Sequence, residues 1–411
     1  MATATTATAP SPEASLDRVA GWQADIRSIV PGLERIHPNP FHGTPRSVIE
    51  AEAVQLATNA PSLSDDQLLV GVARIGALVS AKGCDAHTGL YVWGTGTYAV
   101  ESLPLRLWLF GDDLVIVDAL PPHQDLIGAR IDTIEGQPID EVRSALDPLI
   151  PRDNDQTVRL LMPRYLLIPE ILRGIGLRND SSVRFRYTKD GASREVDLAS
   201  VPMADYNAWA GPYGLHLPPP PGKSDVRFLS RIDDPLWWEM LPDGETLYVQ
   251  YNRIELVGSD VSELQEALRA PNVTRVVLDI RNNFGGEVQP VDTMVGLFDD
   301  PAVDQPGKLF VILGRNTFSA ASMLAARLEA RTDAIFVGEP MSGCPTTYGN
   351  NVELPLVHTG LSLLVSGTLE IGTDANDART TIPLDAETTL AQDEWAAGDD
   401  PAMDVILVAA P

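Results

Sequence analysis

Between residues 15 and 82 apolar positions recur at three- and four-residue steps: Leu33 and Ile36, Val48 through Ala57, then Leu68, Leu69, Val72, Ile75, Leu78 and Val79. That spacing lines one face of a helix and predicts a helical domain over 15–83. After Cys84 to Gly89 the period shortens. Residues 103–110 and 114–117 flank Gly111-Asp112-Asp113, the pattern of two strands joined by a tight turn. Helical spacing returns over 152–176 and alternation over 183–196, so 84–201 reads as a β domain with a helical insertion. Pro218 through Pro221, followed by Gly222, favours an extended chain without backbone donors and predicts a Pro-rich linker over 202–235. Beyond it, strand patterns at 246–251, 275–280, 308–314 and 334–337 alternate with helical ones at 260–269 and 319–327, which predicts an α/β layer over 236–411.

Gly128, Ile131, Ile134, Gly136 and Val142 fall at the spacing of the closing half of a PDZ domain. The segment resembles that family, with Ala129 where the family usually has Asp.

Charge narrows the partners. Asp and Glu number 57 against 30 Lys and Arg, a net charge of -27, and no basic stripe offers the cations that nucleic acid or an anionic membrane would need. No run approaches the ~18 apolar residues of a membrane span. Met1 to Ala14 is rich in Ala, Thr and Pro without an apolar export segment, and reads as a disordered tail. The two cysteines, Cys84 and Cys344, exclude a disulfide framework and a Cys-rich zinc site and fit a reducing compartment, so a cytoplasmic location is expected. Their default role is that of small buried hydrophobes, with pairing under oxidation as the alternative.

Two segments have the form that acyl transfer needs. The 276–280 strand runs into Arg281-Asn-Asn-Phe-Gly-Gly286, where paired glycines allow backbone N–H groups to approach a substrate. The 309–313 strand leads through Gly314-Arg-Asn-Thr-Phe318 to Ser319 at the start of a helix, a position that exposes a serine beside free backbone donors.

Asp279-Ile-Arg-Asn-Asn-Phe-Gly-Gly286, Phe318-Ser-Ala-Ala-Ser322 and Phe336-Val-Gly-Glu-Pro-Met-Ser-Gly343 resemble, in order and spacing, the three core motifs of the carboxyl-terminal processing, or tail-specific, serine peptidases. The resemblance implies an α/β core of the crotonase/ClpP-like type behind a PDZ-like domain, with Ser319 as nucleophile. It breaks at one point. The lysine that follows the third motif in the bacterial enzymes is replaced by Cys344, and none of the four lysines follows Ser319.

A branch of the family typified by the tricorn core uses histidine instead. Cys84-Asp-Ala-His-Thr-Gly89 resembles its short Asp-x-His-Thr segment, which implies His87 as general base, with Ala86 where tricorn has a serine. The matching carboxylate near the chain end is expected at Asp377, six residues before Pro383, with Glu370 and Asp374 as acidic neighbours of lesser weight. Gly285 or Gly286 together with Ala320 would supply the oxyanion hole. The expected activity is peptide hydrolysis by Ser319, His87 and Asp377 without metal or cofactor. An esterase, a cyclase or another acyl transferase on a small metabolite would use the same residues, and a catalytically silent ligand-binding homologue is the alternative of another class. The expected partner is a peptide or small acyl substrate, and assembly into a homo-oligomer is compatible with the sequence.

Overall fold

The helical spacing of the first eighty residues becomes three helices, Pro12–Ile36, Arg46–Asn59 and Asp65–Val79. This computed structural model describes residues 12–94, 97–177, 182–211, 214–255 and 258–409. The expected disordered tail is therefore already helical from Pro12, and its first eleven residues lie outside the described ones. Ser64 starts the third helix with a capping box: its hydroxyl accepts the Gln67 N–H while the Gln67 side chain accepts the Ser64 N–H.

The helices do not close a core by themselves. Ile26, Ile29 and Leu33 pack with Leu354, Leu356, Leu361 and Leu363 of a long antiparallel hairpin, Thr346–Leu356 and Leu361–Ile371. Gly32 permits this approach, because a Cβ there would lie 2.4 Å from a Leu354 methyl. The short strand Gly89–Leu90 pairs with the same hairpin, Gly89 opposite Leu364, and so carries the chain just past His87 onto its edge.

The middle unit is an antiparallel sheet in the spatial order Leu105–Phe110, Asp113–Ala119, Arg130–Ile134, Ser182–Lys189, Ala192–Ala199. Its insertion contains two helices, Asp155–Tyr165 and Pro169–Gly174, within the span that the apolar spacing indicated. The Pro-rich stretch is no free linker. Pro218 and Pro220 are buried, Leu217, Val226, Phe228 and Leu229 form a cluster with Trp395, and the Trp395 indole N–H donates to the Pro218 carbonyl at 2.9 Å. The extended segment here packs as a strap between the middle unit and the C-terminal part.

The remaining chain builds a six-stranded sheet in the order Leu236–Met240, Thr246–Tyr251, Arg275–Asp279, Leu309–Leu313, Ile335–Gly338, Ala386–Glu387. The first pair is antiparallel and the others parallel. Helices Gly258–Leu268, Gln289–Phe298 and Ala320–Arg331 cover one face, and Ala402, Met403 and Ile406 of helix Pro401–Val408 cover the other. Covering on both faces explains the unbroken apolar runs of the central strands, such as Leu-Phe-Val-Ile-Leu over Leu309–Leu313. It also leaves the carboxyl ends of parallel strands as the open rim where a site can form.

Candidate active site

Ser319 sits on that rim. The Leu309–Leu313 strand ends, the chain turns through Gly314 to Phe318, and Ser319 is the N-cap of the Ala320–Arg331 helix with φ 56° and ψ −128°. A non-glycine residue in this region carries strain of about 1–3 kcal/mol, which surrounding bonds must hold. They are present: the Thr317 hydroxyl donates to the Ile280 carbonyl at 2.8 Å and the Phe318 N–H to the Asn283 carbonyl at 3.0 Å. Both acceptors belong to the glycine-bearing loop after the Arg275–Asp279 strand, so the two segments singled out in the sequence brace one another.

That loop supplies the donors. A Cβ on Gly285 would lie 2.7 Å from Ser319 Cβ and 2.8 Å from the Ala320 nitrogen, so only glycine allows the loop this close. The Gly285 N–H, one of the two expected alternatives, is taken up internally: it donates to the Asn283 side chain at 2.8 Å. Gly286 and Ala320 present N–H groups without an acceptor among the described residues at the Ser319 turn, with Asn283 shaping the loop.

The histidine comes from far away in sequence. His87 Nε2 is 3.1 Å from Ser319 Oγ. The imidazole stacks on Phe318, ring centroids 4.6 Å apart, and is buried. Burial lowers its pKa, opposed by the nearby Asp85 carboxylate, the Tyr348 backbone and the Glu370 carboxylate. A neutral imidazole accepting the serine proton at Nε2 carries its own hydrogen at Nδ1, yet Nδ1 is buried without a well-formed hydrogen bond.

Asp377 does not fill that gap. Its carboxylate is held by Arg379, through the guanidinium at 2.8–3.1 Å and the backbone N–H at 3.0 Å, which keeps its pKa below the ordinary value. Arg379 in turn pairs with Glu329 on the helix of Ser319, so the segment is fastened to the far part of that helix and away from the imidazole. The reason is local: a cation two residues along competes for the carboxylate, and spacing from Pro383 does not register it.

Two carboxylates act on the His87 ring, Asp85 more strongly and Glu370 from the long hairpin. Glu370 stands opposite Thr347 in that hairpin, and a Cβ on Gly349 would lie 3.1 Å from Glu370 Cγ and 3.9 Å from His87 Nδ1. Glycine at 349 therefore leaves an open space with Glu370 on one side and His87 on the other. The Thr368 hydroxyl bonds the Glu370 carboxylate from its own strand. The apolar positions of residues 361–365 are the sequence signal for this strand, but they do not mark Glu370 at its end.

Two further groups position the His87 loop. Asp85, fully buried, accepts from His37 Nε2 at 2.9 Å, His42 Nε2 at 3.1 Å and the Ser366 hydroxyl at 2.6 Å. Burial pushes the Asp85 carboxyl up, but these hydrogen bonds outweigh it and hold the pKa below its ordinary value. His37, His42 and Asp85 bring their ligand atoms within 4.8 Å of one another, close enough to share a cation. The tautomer opposes this, since His37 Nδ1 accepts the Asn39 N–H at 2.9 Å and its proton must sit on Nε2, facing Asp85. The cluster fits a hydrogen-bonded hub. Asp153, likewise buried, accepts the Ala86 N–H at 2.6 Å, the Cys344 N–H at 2.8 Å and the Thr347 hydroxyl at 3.1 Å. Burial, only partly offset by these donors, pushes its pKa up to about 7.

Cys84 and Cys344 are joined in a disulfide. They are neither separate buried thiols nor support for a reducing compartment, since disulfides persist in oxidising surroundings.

Between His87, Ser319 and the middle unit opens a cavity of about 250 Å³, lined by Tyr91, Trp93, Leu160, Leu161, Leu215 and Phe284 among others, with His87 the one titratable nitrogen base among the described residues that line it. A smaller hollow of about 70 Å³ beside Trp108 and Arg315 lies apart from these groups. Among the described residues no helix is long and apolar enough to cross a membrane.

Residues 245–305 match the profile of peptidase family S41. This stretch holds the Arg275–Asp279 strand and the glycine loop. The match is confined to that segment and includes neither His87 nor Ser319. The fold is similar to that of mature CPAF complexed with lactacystin, at 11% identity and a TM-score of 0.61, covering 94% of this chain and 97% of that one. Mature CPAF alone gives 12% identity and a TM-score of 0.59, over 94% and 96%. The photosystem II D1 C-terminal processing protease, at 16% identity over 92% and 94%, has a TM-score of 0.37, too low to bear on the site. No curated protein matches the chain in sequence.

Proposed function

We propose that the protein is a serine peptidase in which Ser319 attacks the scissile carbonyl and His87 is the general base. The observation that carries this is the 3.1 Å contact between His87 Nε2 and a serine held at a strained turn. In the first half-reaction Nε2 takes the Ser319 proton as Oγ bonds to the carbonyl carbon. The oxygen that becomes negative is received by the Gly286 and Ala320 N–H groups, each worth on the order of 3 kcal/mol in the transition state. The imidazolium then protonates the leaving amine. Water repeats the sequence on the acyl-enzyme, and Ser319 recovers its proton.

Glu370 is the carboxylate of this arrangement, favouring the imidazolium through the space above Gly349. The cavity walls suit a bulky apolar side chain on the acyl side of the cleaved bond. We read the sheet running from 105 to 199 as the PDZ-like module and the six-stranded sheet with its helices as the crotonase/ClpP-like core. A silent binding protein would have no use for a strained serine in contact with a neutral imidazole. Turnover of a peptide library by the wild type and by Ser319→Ala tests the reading: cleavage in the first and none in the second is expected, and equal cleavage by both would refute it.

A further inference from the structure

His87 belongs to a loop, and loops drift unless tied. Cys84 lies three residues before His87, in a left-handed conformation with φ 58°. Cys344 follows Gly343, and Gly343 packs directly on the serine turn: its N–H donates to the Thr317 carbonyl at 3.2 Å, and a Cβ there would lie 3.3 Å from Phe318 Cα. The disulfide therefore joins the loop of the base to the segment that packs against the nucleophile, across 260 residues of sequence. Asp153 clamps the same two loops without a covalent bond, through the Ala86 and Cys344 N–H groups.

We infer that the Cys84–Cys344 disulfide is a positioning cross-link for His87, and that its reduction by an external thiol lowers turnover while leaving substrate binding in place. This rests on the Ser319–His87 reading above. The cavity walls come mainly from other segments, so they persist when the cross-link opens.

The chemistry is thiol–disulfide exchange. Cys84 is partly exposed and Cys344 is buried, so an external thiolate attacks the Cys84 sulfur, the S–S bond breaks and Cys344 departs as a thiolate that takes a proton. A second reductant thiol resolves the mixed disulfide. The reductant ends as its own disulfide and both cysteines as thiols, a balanced two-electron exchange. What then holds the loop is non-covalent: the Asp153 clamp, the Cys84 N–H to the Asp153 carbonyl at 3.0 Å, the Tyr348 N–H to the Cys84 carbonyl at 2.9 Å, the Asp85 hub and the pairing of Gly89 with Leu364. These preserve the fold but permit displacement, and a 1 Å misplacement of a catalytic group costs about 100-fold.

The test compares air-oxidised protein, dithiothreitol-reduced protein, reoxidised protein and the Cys84→Ser/Cys344→Ser variant, all below their melting temperatures. Two readouts are taken: kcat and KM on a chromogenic peptide with an apolar residue before the cleaved bond, and the ring titration of His87 by NMR of labelled histidine. Asp85 and Glu370 are the carboxylates acting on that ring in the disulfide-bonded form. The expected result is a kcat lowered on the order of tenfold or more by reduction, with KM little changed. The His87 titration moves toward the ordinary histidine value as solvent enters, reoxidation restores both readouts, and the double variant stays at the reduced level whatever the reductant. Unchanged kcat and unchanged His87 titration after complete reduction, with only a lower melting temperature, would overturn the inference and leave the disulfide a purely stabilising link. If oxidised protein cleaves nothing and Ser319 resists acylating probes, the peptidase reading fails separately, and the His87 titration alone decides on the cross-link.

Discussion

His87 Nε2 and Ser319 Oγ stand 3.1 Å apart although 232 residues separate them in the chain. The contact depends on the Gly89–Leu90 strand pairing with the hairpin on one side and on the serine turn bonding to the glycine loop on the other.

The first prediction reassigns the carboxylate. Glu370→Gln is expected to lower kcat on the order of tenfold, or about 1.4 kcal/mol of transition-state stabilisation, because it removes a carboxylate that favours the imidazolium. Asp377→Asn is expected to leave turnover near wild type, because its partner is Arg379. Steady-state kinetics of the two variants, with thermal melts, decides. The reverse ranking would return the role to Asp377.

The acid limb of the pH profile follows from His87. Burial lowers its pKa from the ordinary 6.5. The base is active when neutral, so activity is present above the folded-state pKa and is lost as pH falls through it. The limb of kcat/KM should therefore lie below pH 6.5, and Glu370→Gln should move it lower still by removing a group that raises the value. A limb above 6.5 in the wild type would mean that the carboxylates outweigh burial.

Gly285→Ala brings a Cβ to 2.7 Å from Ser319 Cβ in a backbone with φ 94°. Nothing there is a flexible side-chain end that could yield. Turnover should fall at least about 100-fold, the scale of losing one oxyanion donor, with a lowered melting temperature from strain of about 1–3 kcal/mol. A variant with wild-type kinetics would show that the glycine loop does not shape the site.

The cavity predicts selectivity. Peptides with Phe, Leu or Met before the cleaved bond should be preferred over those with Asp or Lys, and Leu161→Asp should weaken cleavage after apolar residues and improve it after Lys. One methylene in such a pocket is worth about 1–3 kcal/mol, so selectivity of tenfold or more is within reach. Cleavage rates that ignore this residue would place the substrate outside the cavity.

What could be read from the sequence was what is encoded locally. Ser319 and His87 lie within short motifs whose neighbours build their own turns, and the 3.6- and 2-residue periods located the first helices and the core strands. Glu370 carries no such mark: its place near His87 arises from the Thr347 register across a hairpin and from the absence of a side chain at Gly349. Asp377 had the favourable position in sequence, and Arg379 two residues on decided against it. The Gly-Gly pair was legible as a loop of close backbone approach, but which N–H remained without an acceptor depended on the Asn283 side chain turning back on Gly285. The Pro-rich stretch looked like a linker because its burial comes from distant partners, Trp395 above all. Likewise the hub at Asp85 draws His37 and His42 from a segment that, taken alone, reads only as a loop.

The central claim, that Ser319 is a nucleophile activated by His87, is tested most directly by covalent labelling. Wild-type protein treated with a fluorophosphonate and digested for mass spectrometry should carry one adduct, on Ser319, and His87→Gln should slow its formation by about 10²-fold or more, the usual contribution of a positioned base. Labelling elsewhere, or labelling of Ser319 at the same rate without the imidazole, would contradict it.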